Sequence, residues 1–130
     1  MIFPNVAILE LTQRCNHRCF FCYCPWEYDK NYKNIELSTT DWFDIIKTYV
    51  NNGVKQVTFT GGEPLMRNDL LELVKFAFKQ GLRVGIITNG RLVDDDFLNE
   101  LIKYNVLLSI SVPGINTFKE HTGVDNVEHV

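Results

Sequence analysis

The sequence has no apolar run near the roughly 20 residues that a membrane-spanning helix needs. It also lacks a strongly basic segment, since 13 Lys and Arg stand against 16 Asp and Glu, for a formal charge of -3. Its first residues have neither the charged start nor the apolar core of a signal peptide. Binding to nucleic acid or to an anionic membrane is therefore not expected, and the cytosol is the expected compartment.

Cysteine is missing from most of the chain, because all four cysteines lie between positions 15 and 24. A disulfide framework distributes its cysteines so that each bridge closes a long loop between distant segments. Four thiols within one short segment close no such loop. A metal ion or an inorganic cluster is therefore the better interpretation.

Segments of strand length alternate with segments of helical periodicity along the 130 residues, which are enough for one domain. Strands are predicted at 6–11, 56–60, 83–88 and 106–112, and helices are predicted to start at Ser38 or Thr39, at Asn68-Asp69 and at Asp94–Asp96. The order βαβαβαβ is typical of an α/β fold with a parallel sheet. Both an open doubly wound sheet and part of a β/α barrel are consistent with it.

Each predicted helix has an apolar face that we expect to be in the core. These faces are Trp42, Ile45, Ile46, Tyr49 and Val50 in the first helix, Leu70, Leu73, Val74, Ala77 and Phe78 in the second, and Leu98, Leu101 and Ile102 in the third. The polar segment from Thr12 to about Leu37 is predicted to be a loop, in which His17 is solvated. His121 and His129 are predicted to be surface residues.

The residues with useful chemistry follow the strands. They are the cysteine loop, Gly61-Gly62-Glu63-Pro64, Thr88-Asn89-Gly90, and Ser109 with Ser111. In both architectures the ligands bind where the carboxyl ends of the parallel strands meet. We therefore expect these segments to converge on one site.

The spacing of the cysteines favours an iron–sulfur cluster over zinc. Cys15, Cys19 and Cys22 have the form C-x3-C-x2-C, whereas a structural zinc site usually has two knuckles and four ligands. Three thiolates on a four-iron cluster leave one iron open to a substrate or cofactor. Cys24 follows too closely for a usual zinc spacing and is predicted to be a bystander thiol. A zinc knuckle remains the alternative at this point.

The cysteine motif with an aromatic residue before its last cysteine, followed by Gly61-Gly62-Glu63-Pro64 after the second strand, resembles the radical S-adenosylmethionine (SAM) enzymes. The resemblance covers essentially the whole chain. The segments 109–114 and 121–123 are similar to the branch that modifies peptides and proteins or builds cofactors. In place of the acidic residue often found in this region of that branch, this chain has Pro113.

The resemblance implies roles for individual residues. Cys15, Cys19 and Cys22 would hold a [4Fe-4S] cluster whose open iron binds SAM. Gly61, Gly62 and Glu63, with Pro64, would recognise the methionyl amino group. Phe21 would lie near the adenine, and Asn89, Ser109 and Ser111 near other parts of SAM. One electron from an external donor would cleave SAM to methionine and a 5′-deoxyadenosyl radical, which takes a hydrogen atom from a substrate such as a peptide or protein.

The family core usually has six βα units in a partial barrel, and this chain supplies about four strands. We therefore expect residues 1–130 to be one radical SAM core domain, truncated at its C-terminal end, with the next helix beginning near Asn126. A minimal domain that completes its sheet by dimerising is the less favoured reading. The alternative functions are a non-catalytic iron–sulfur module and a zinc-binding α/β module.

Overall fold

Four short segments rich in Val, Ile, Leu and Phe pair side by side in one parallel sheet. The structure is a computed structural model that describes residues 4–24 and 35–125. Its strands are β1 (Val6–Glu10), β2 (Gln56–Thr60), β3 (Arg83–Thr88) and β4 (Leu107–Ile110). The predictions for β2 and β3 are confirmed residue for residue, whereas β4 is shorter than predicted.

Three helices connect the strands: α1 (Thr39–Asn51), α2 (Leu70–Lys79) and α3 (Asp95–Lys103). The start of α1 is a capping box, in which the Ser38 hydroxyl accepts from Asp41 N and the Asp41 carboxylate accepts from Ser38 N. Asp94 caps α3, because its side chain accepts from Phe97 N at 2.8 Å. A short 3₁₀ helix at Pro64–Met66, which the sequence did not predict, precedes α2.

The order of the strands in space decides between the two predicted architectures. Each strand lies beside the one that precedes it in the chain, giving the order β1-β2-β3-β4. In a doubly wound sheet the order reverses at a switch point, whereas a β/α barrel adds strands in sequence. The sheet therefore has the arrangement of part of a β/α barrel.

The core lies on one face of the sheet, where α1, α2 and α3 cover alternate residues of the strands. Its fully buried members include Val57, Phe59 and Ile86 from the strands, with Ile46 and Leu73 from the helices. The other face is open among the described residues. On it Ile8 and Leu107 are each 65% exposed.

Two core predictions are wrong. Ile102 is 74% exposed because α3 is rotated to place Leu101 in the core, with Phe97 packed against it. Phe78 is 44% exposed and packs edge-on against Tyr104 at 5.4 Å between ring centroids.

A short helix, α4 (Phe118–Thr122), follows β4 in a segment for which no element was predicted. The helix predicted near Asn126 lies outside the described residues, and so does His129, which was predicted to be a surface residue. No helix in residues 4–24 and 35–125 is long and apolar enough to span a membrane.

Candidate active site

A cleft of about 540 Å³ opens where the carboxyl ends of the strands meet. Four of the predicted segments contribute to it, so their expected convergence is confirmed. Of the predicted site residues, those that line it are Cys15, Cys19, Phe21, Cys22, Gly61, Gly62, Asn89 and Ser111. Glu63, Pro64 and Ser109 are not among the described residues of the lining.

All four cysteines of the loop are among the residues that line this cleft. Cys15, Cys19 and Cys22 are half-buried, Cys24 is fully buried, and none of the four forms a disulfide. Burial, together with a hydrogen bond to Cys22, raises the pKa of the Cys24 thiol to about 12. Among the described residues, no three His, Cys, Asp or Glu side chains are close enough to hold one metal ion.

The turn after β2 packs directly against the backbone that leads into the cysteine loop. A Cβ on Gly61 would lie 2.4 Å from Thr12 O, and a Cβ on Gly62 would lie 2.3 Å from Arg14 O. Gly62 N donates to Thr12 O at 2.8 Å. The two glycines are therefore needed for contact between two loops of the protein, in addition to any approach of a ligand.

Glu63 is completely buried, and its carboxylate accepts three hydrogen bonds. Oε1 accepts from Thr88 Oγ1 at 2.7 Å and from Leu65 N at 3.0 Å, and Oε2 accepts from Asn89 N at 2.8 Å. Burial raises the pKa of this carboxyl, and the three donors act in the opposite direction. The side chain thus ties the turn after β2 to the end of β3.

Asn89 continues this connection to the cysteine loop. Its Nδ2 donates to Asn16 Oδ1 at 2.7 Å and lies 4.0 Å from Cys15 Sγ, while its Oδ1 accepts from Arg91 N at 3.0 Å. The Asn89-Gly90 pair is therefore more than a turn signal, because the Asn89 side chain contacts the first motif.

The helix α4 holds the opposite side of the cysteine loop. Arg18 N donates to Thr122 O at 2.9 Å, and Phe20 N donates to His121 O at 3.2 Å. The His121 ring packs against Phe20 at 5.3 Å, and its Nδ1 lies 2.6 Å from Pro113 O. His121 is half-buried by these contacts, so the predicted surface residue also supports the cysteine loop.

His17 is buried, contrary to the prediction of a solvated side chain. It is 3% exposed, packs edge-on against Phe118, and lines the cleft. Its Nε2 has no hydrogen-bond partner in the part of the chain that the structure describes. Burial, and secondly the positive charge of Arg91, lowers the pKa of His17.

A buried arginine that sequence reasoning missed supports the loop from outside the cleft. Arg67 donates to Leu11 O at 3.2 Å and to Leu37 O at 3.1 Å, and its Nη2 pairs with Asp69 Oδ2 at 2.6 Å. Hydrogen bonding to Arg67 lowers the pKa of Asp69. Glu36, which pairs with Arg14, also accepts from the Thr12 hydroxyl. No spacing pattern in the sequence predicts these contacts.

The two serines at β4 differ in position. Ser111, which follows β4, lines the cleft, and its N–H donates to Thr88 O at 2.9 Å. Ser109 lies within β4, in register with Ile87 of β3, and does not line the cleft. Both are on the open face of the sheet, as the alternation of side chains along a strand predicts.

Comparison with known proteins is consistent with this geometry. Residues 9–130 match the model of the radical SAM superfamily. The chain is 42% identical over 98 residues to the PqqA peptide cyclase of Bradyrhizobium diazoefficiens, covering 75% of this chain and 25% of the relative. It is 37% identical over 125 residues to a probable GTP 3',8-cyclase of Saccharolobus islandicus, covering 94% of this chain and 40% of the relative.

The fold is shared with a solved structure. The crystal structure of Streptococcus suis SuiB bound to S-adenosylmethionine superposes with a TM-score of 0.80 at 24% identity, over 95% of this chain and 29% of that chain. The chain thus spans between a quarter and two-fifths of the length of the proteins that it matches. The family match over residues 9–130, with both motifs at the ends of their expected strands, shows that this chain belongs to the radical SAM superfamily.

Proposed function

We propose that this chain is the amino-terminal part of the catalytic core of a radical SAM enzyme that acts on a peptide or protein. The observation that carries the proposal is the single cleft that three motif thiols share with the Gly61-Gly62 turn. When bound, a [4Fe-4S] cluster would pass one electron to SAM, which would cleave SAM into methionine and a 5′-deoxyadenosyl radical. The electron would come from an external donor.

In this proposal Cys15, Cys19 and Cys22 hold the cluster. Thiolates are soft ligands that suit iron–sulfur clusters, and these three side chains are half-buried at the cleft rather than enclosed. Cys24 is buried beside them and is a neighbour rather than a ligand. A site with three ligands and an open side leaves room for a cofactor at the fourth iron.

SAM would occupy the rest of the cleft. Gly61 and Gly62 line it and would receive the methionyl amino group on their backbone carbonyls, and Phe21, which is 54% exposed, would provide an apolar surface for the adenine. Asn89 and Ser111 are polar groups at the same cleft. Ile8, Ile87 and Val112 give the cleft an apolar wall. These side chains are exposed among the described residues, so they would keep water from a reactive radical only once the remaining strands cover them.

The substrate class rests on the relatives. The Bradyrhizobium relative is named a peptide cyclase, and SuiB has been crystallised bound to the precursor peptide SuiA. An oxygen-sensitive cluster is compatible with the reducing cytosol, where we place the enzyme. We infer that the remaining strands of the barrel and the peptide site belong to a longer chain than these 130 residues.

Anaerobic reconstitution of the full-length protein with iron and sulfide tests the proposal. We expect a brown protein with about four irons at this site, which bleaches in air and whose reduced electron paramagnetic resonance (EPR) spectrum changes when SAM is added. With reductant and SAM it forms 5′-deoxyadenosine. A stable cluster indifferent to SAM would identify a non-catalytic iron–sulfur module, and a colourless zinc protein would identify a zinc module.

A further inference from the structure

Glu63 is connected to both residues that flank Cys15. Its backbone N–H donates to Arg14 O at 2.8 Å, on the amino-terminal side of the cysteine. Its carboxylate accepts from Asn89 N at 2.8 Å, and Asn89 Nδ2 donates to Asn16 Oδ1 at 2.7 Å, on the carboxyl-terminal side. One buried residue therefore fixes the chain on either side of the first motif cysteine.

The Glu63 carboxylate is poorly placed to bind a ligand as well. The side chain is 0% exposed and is not among the described residues that line the cleft, although Gly61 and Gly62 are. Three donors already point at its two oxygens. A carboxylate in this environment stabilises the positions of its donors, because breaking any of these bonds leaves a buried polar group unpaired.

We propose that Glu63 is a positioning residue for the cysteine loop, acting on Cys15 through Arg14 and through Asn89 with Asn16, and that its carboxylate does not bind SAM. This inference rests on the proposed cluster at Cys15, Cys19 and Cys22. Asn89 also acts on Cys15 directly, because its side-chain amide nitrogen lies 4.0 Å from Cys15 Sγ. Hydrogen bonds to cluster sulfurs help to set the reduction potential, so Asn89 also stabilises the reduced cluster.

The two possible roles of Glu63 predict different results for the reconstituted full-length protein before SAM is added. Asn89→Asp keeps the backbone donor to Glu63 and an acceptor for Arg91 N, but it removes the amide that contacts Asn16 and Cys15. We expect the reduction potential of the SAM-free cluster to fall, because a donor is lost and a negative charge is gained. We expect Glu63→Gln to place an amide against a buried donor and to alter the EPR spectrum of the SAM-free cluster.

Iron retention gives a second readout. Loss of an outer partner of a metal ligand typically weakens metal affinity by about 10- to 100-fold. We therefore expect a chelator to strip iron from Glu63→Gln at about tenfold lower concentration than from the wild type. Thr88→Val, which removes one donor to Glu63 and no charge, should change retention in the same direction by less.

Glu72→Gln is the matched control. It makes the same substitution in the first turn of α2, where Glu72 is exposed, and it leaves the cysteine loop and the partners of Cys15 intact. Its SAM-free EPR spectrum and iron retention should match the wild type.

A Glu63→Gln protein with a wild-type SAM-free spectrum and iron retention, but weaker binding of SAM, would overturn the proposal and place the carboxylate on SAM. An unchanged potential in Asn89→Asp would also overturn it, and this variant decides the matter if Glu63→Gln does not fold. Failure of the wild type to form a cluster would instead contradict the proposed function.

Discussion

Gly62 and Arg14 approach so closely that a methyl group on Gly62 would lie 2.3 Å from the Arg14 carbonyl oxygen. Because Arg14 immediately precedes Cys15, the contact transmits any change at Gly62 to the cysteine loop. The neighbouring atoms are backbone atoms, which cannot move aside as a flexible side chain does.

Gly62→Ala is accordingly expected to damage cluster binding. The clash should destabilise the fold by about 1–3 kcal/mol and should lower the iron content after reconstitution. Gly81→Ala is the control, since Gly81 has a φ of +83° and open space around it among the described residues. In that variant the free energy of unfolding should fall by about 1–2 kcal/mol through backbone strain, while the iron content should stay unchanged. Equal iron content in the two variants would contradict the expectation.

Alanine substitution should distinguish the cluster ligands from their neighbour. Cys15→Ala, Cys19→Ala and Cys22→Ala should each abolish the cluster, because a site with three ligands has none to spare. Cys24→Ala should retain it and lose only a small buried side chain. Iron and sulfide analysis of the four proteins makes the comparison. Iron that survives the loss of Cys19 but not of Cys24 would show that the ligand set is different.

The sequence could predict the fold to the level of individual strands because hydrophobic alternation and glycine stops are local signals. It could also predict which strand ends carry the site, since parallel strands align their carboxyl ends. It could not predict that Glu63 reaches β3, or that His121 packs on Phe20, because those contacts join residues far apart in the chain. Ile102 was misplaced because Phe97 with Leu101 and Leu98 with Ile102 have the same helical spacing, and only packing selects between them.

The pairing of Arg67 with Asp69 should make stability depend on pH. The pKa of Asp69 is lowered in the folded state, so its contribution is present above the unfolded value of about 3.9 and is lost as the pH falls through the folded value. Asp69→Asn should therefore lower the free energy of unfolding by about 1.5–3 kcal/mol at pH 7. This difference from the wild type should shrink below about pH 4. Thermal unfolding of both proteins across this pH range measures it.

Asp44→Asn provides the comparison for that experiment. Asp44 pairs with Lys47 at 3.0 Å on the surface of α1, where both side chains are more than half exposed. Exposed pairs contribute little to stability, so this variant should follow the wild type at every pH. A loss at pH 7 as large as that of Asp69→Asn would show that burial of the Arg67 pair has no special effect.

His121→Ala should loosen the cysteine loop from the side of α4. The change removes the ring contacts with Phe20 and Phe21 and the contact of Nδ1 with Pro113 O. We expect the cluster to bleach faster in air, because the loop opens more readily to oxidants. His121→Phe should restore part of the protection, since it keeps an aromatic ring but not the polar contact. Identical bleaching rates for the wild type and both variants would show that α4 does not stabilise the cysteine loop.

The loop supports lie far downstream of the cysteines, which has a consequence for the timing of synthesis. Asn89 follows Cys15 by 74 residues, so at 5–20 residues per second the ribosome needs roughly 4–15 s to reach it. During that interval the thiols emerge before the strand that will hold them, and α4 appears later still. Iron and sulfide delivered to the nascent chain would meet a loop without its Asn89 and α4 contacts, so we expect cluster assembly to follow the synthesis of β3 and α4.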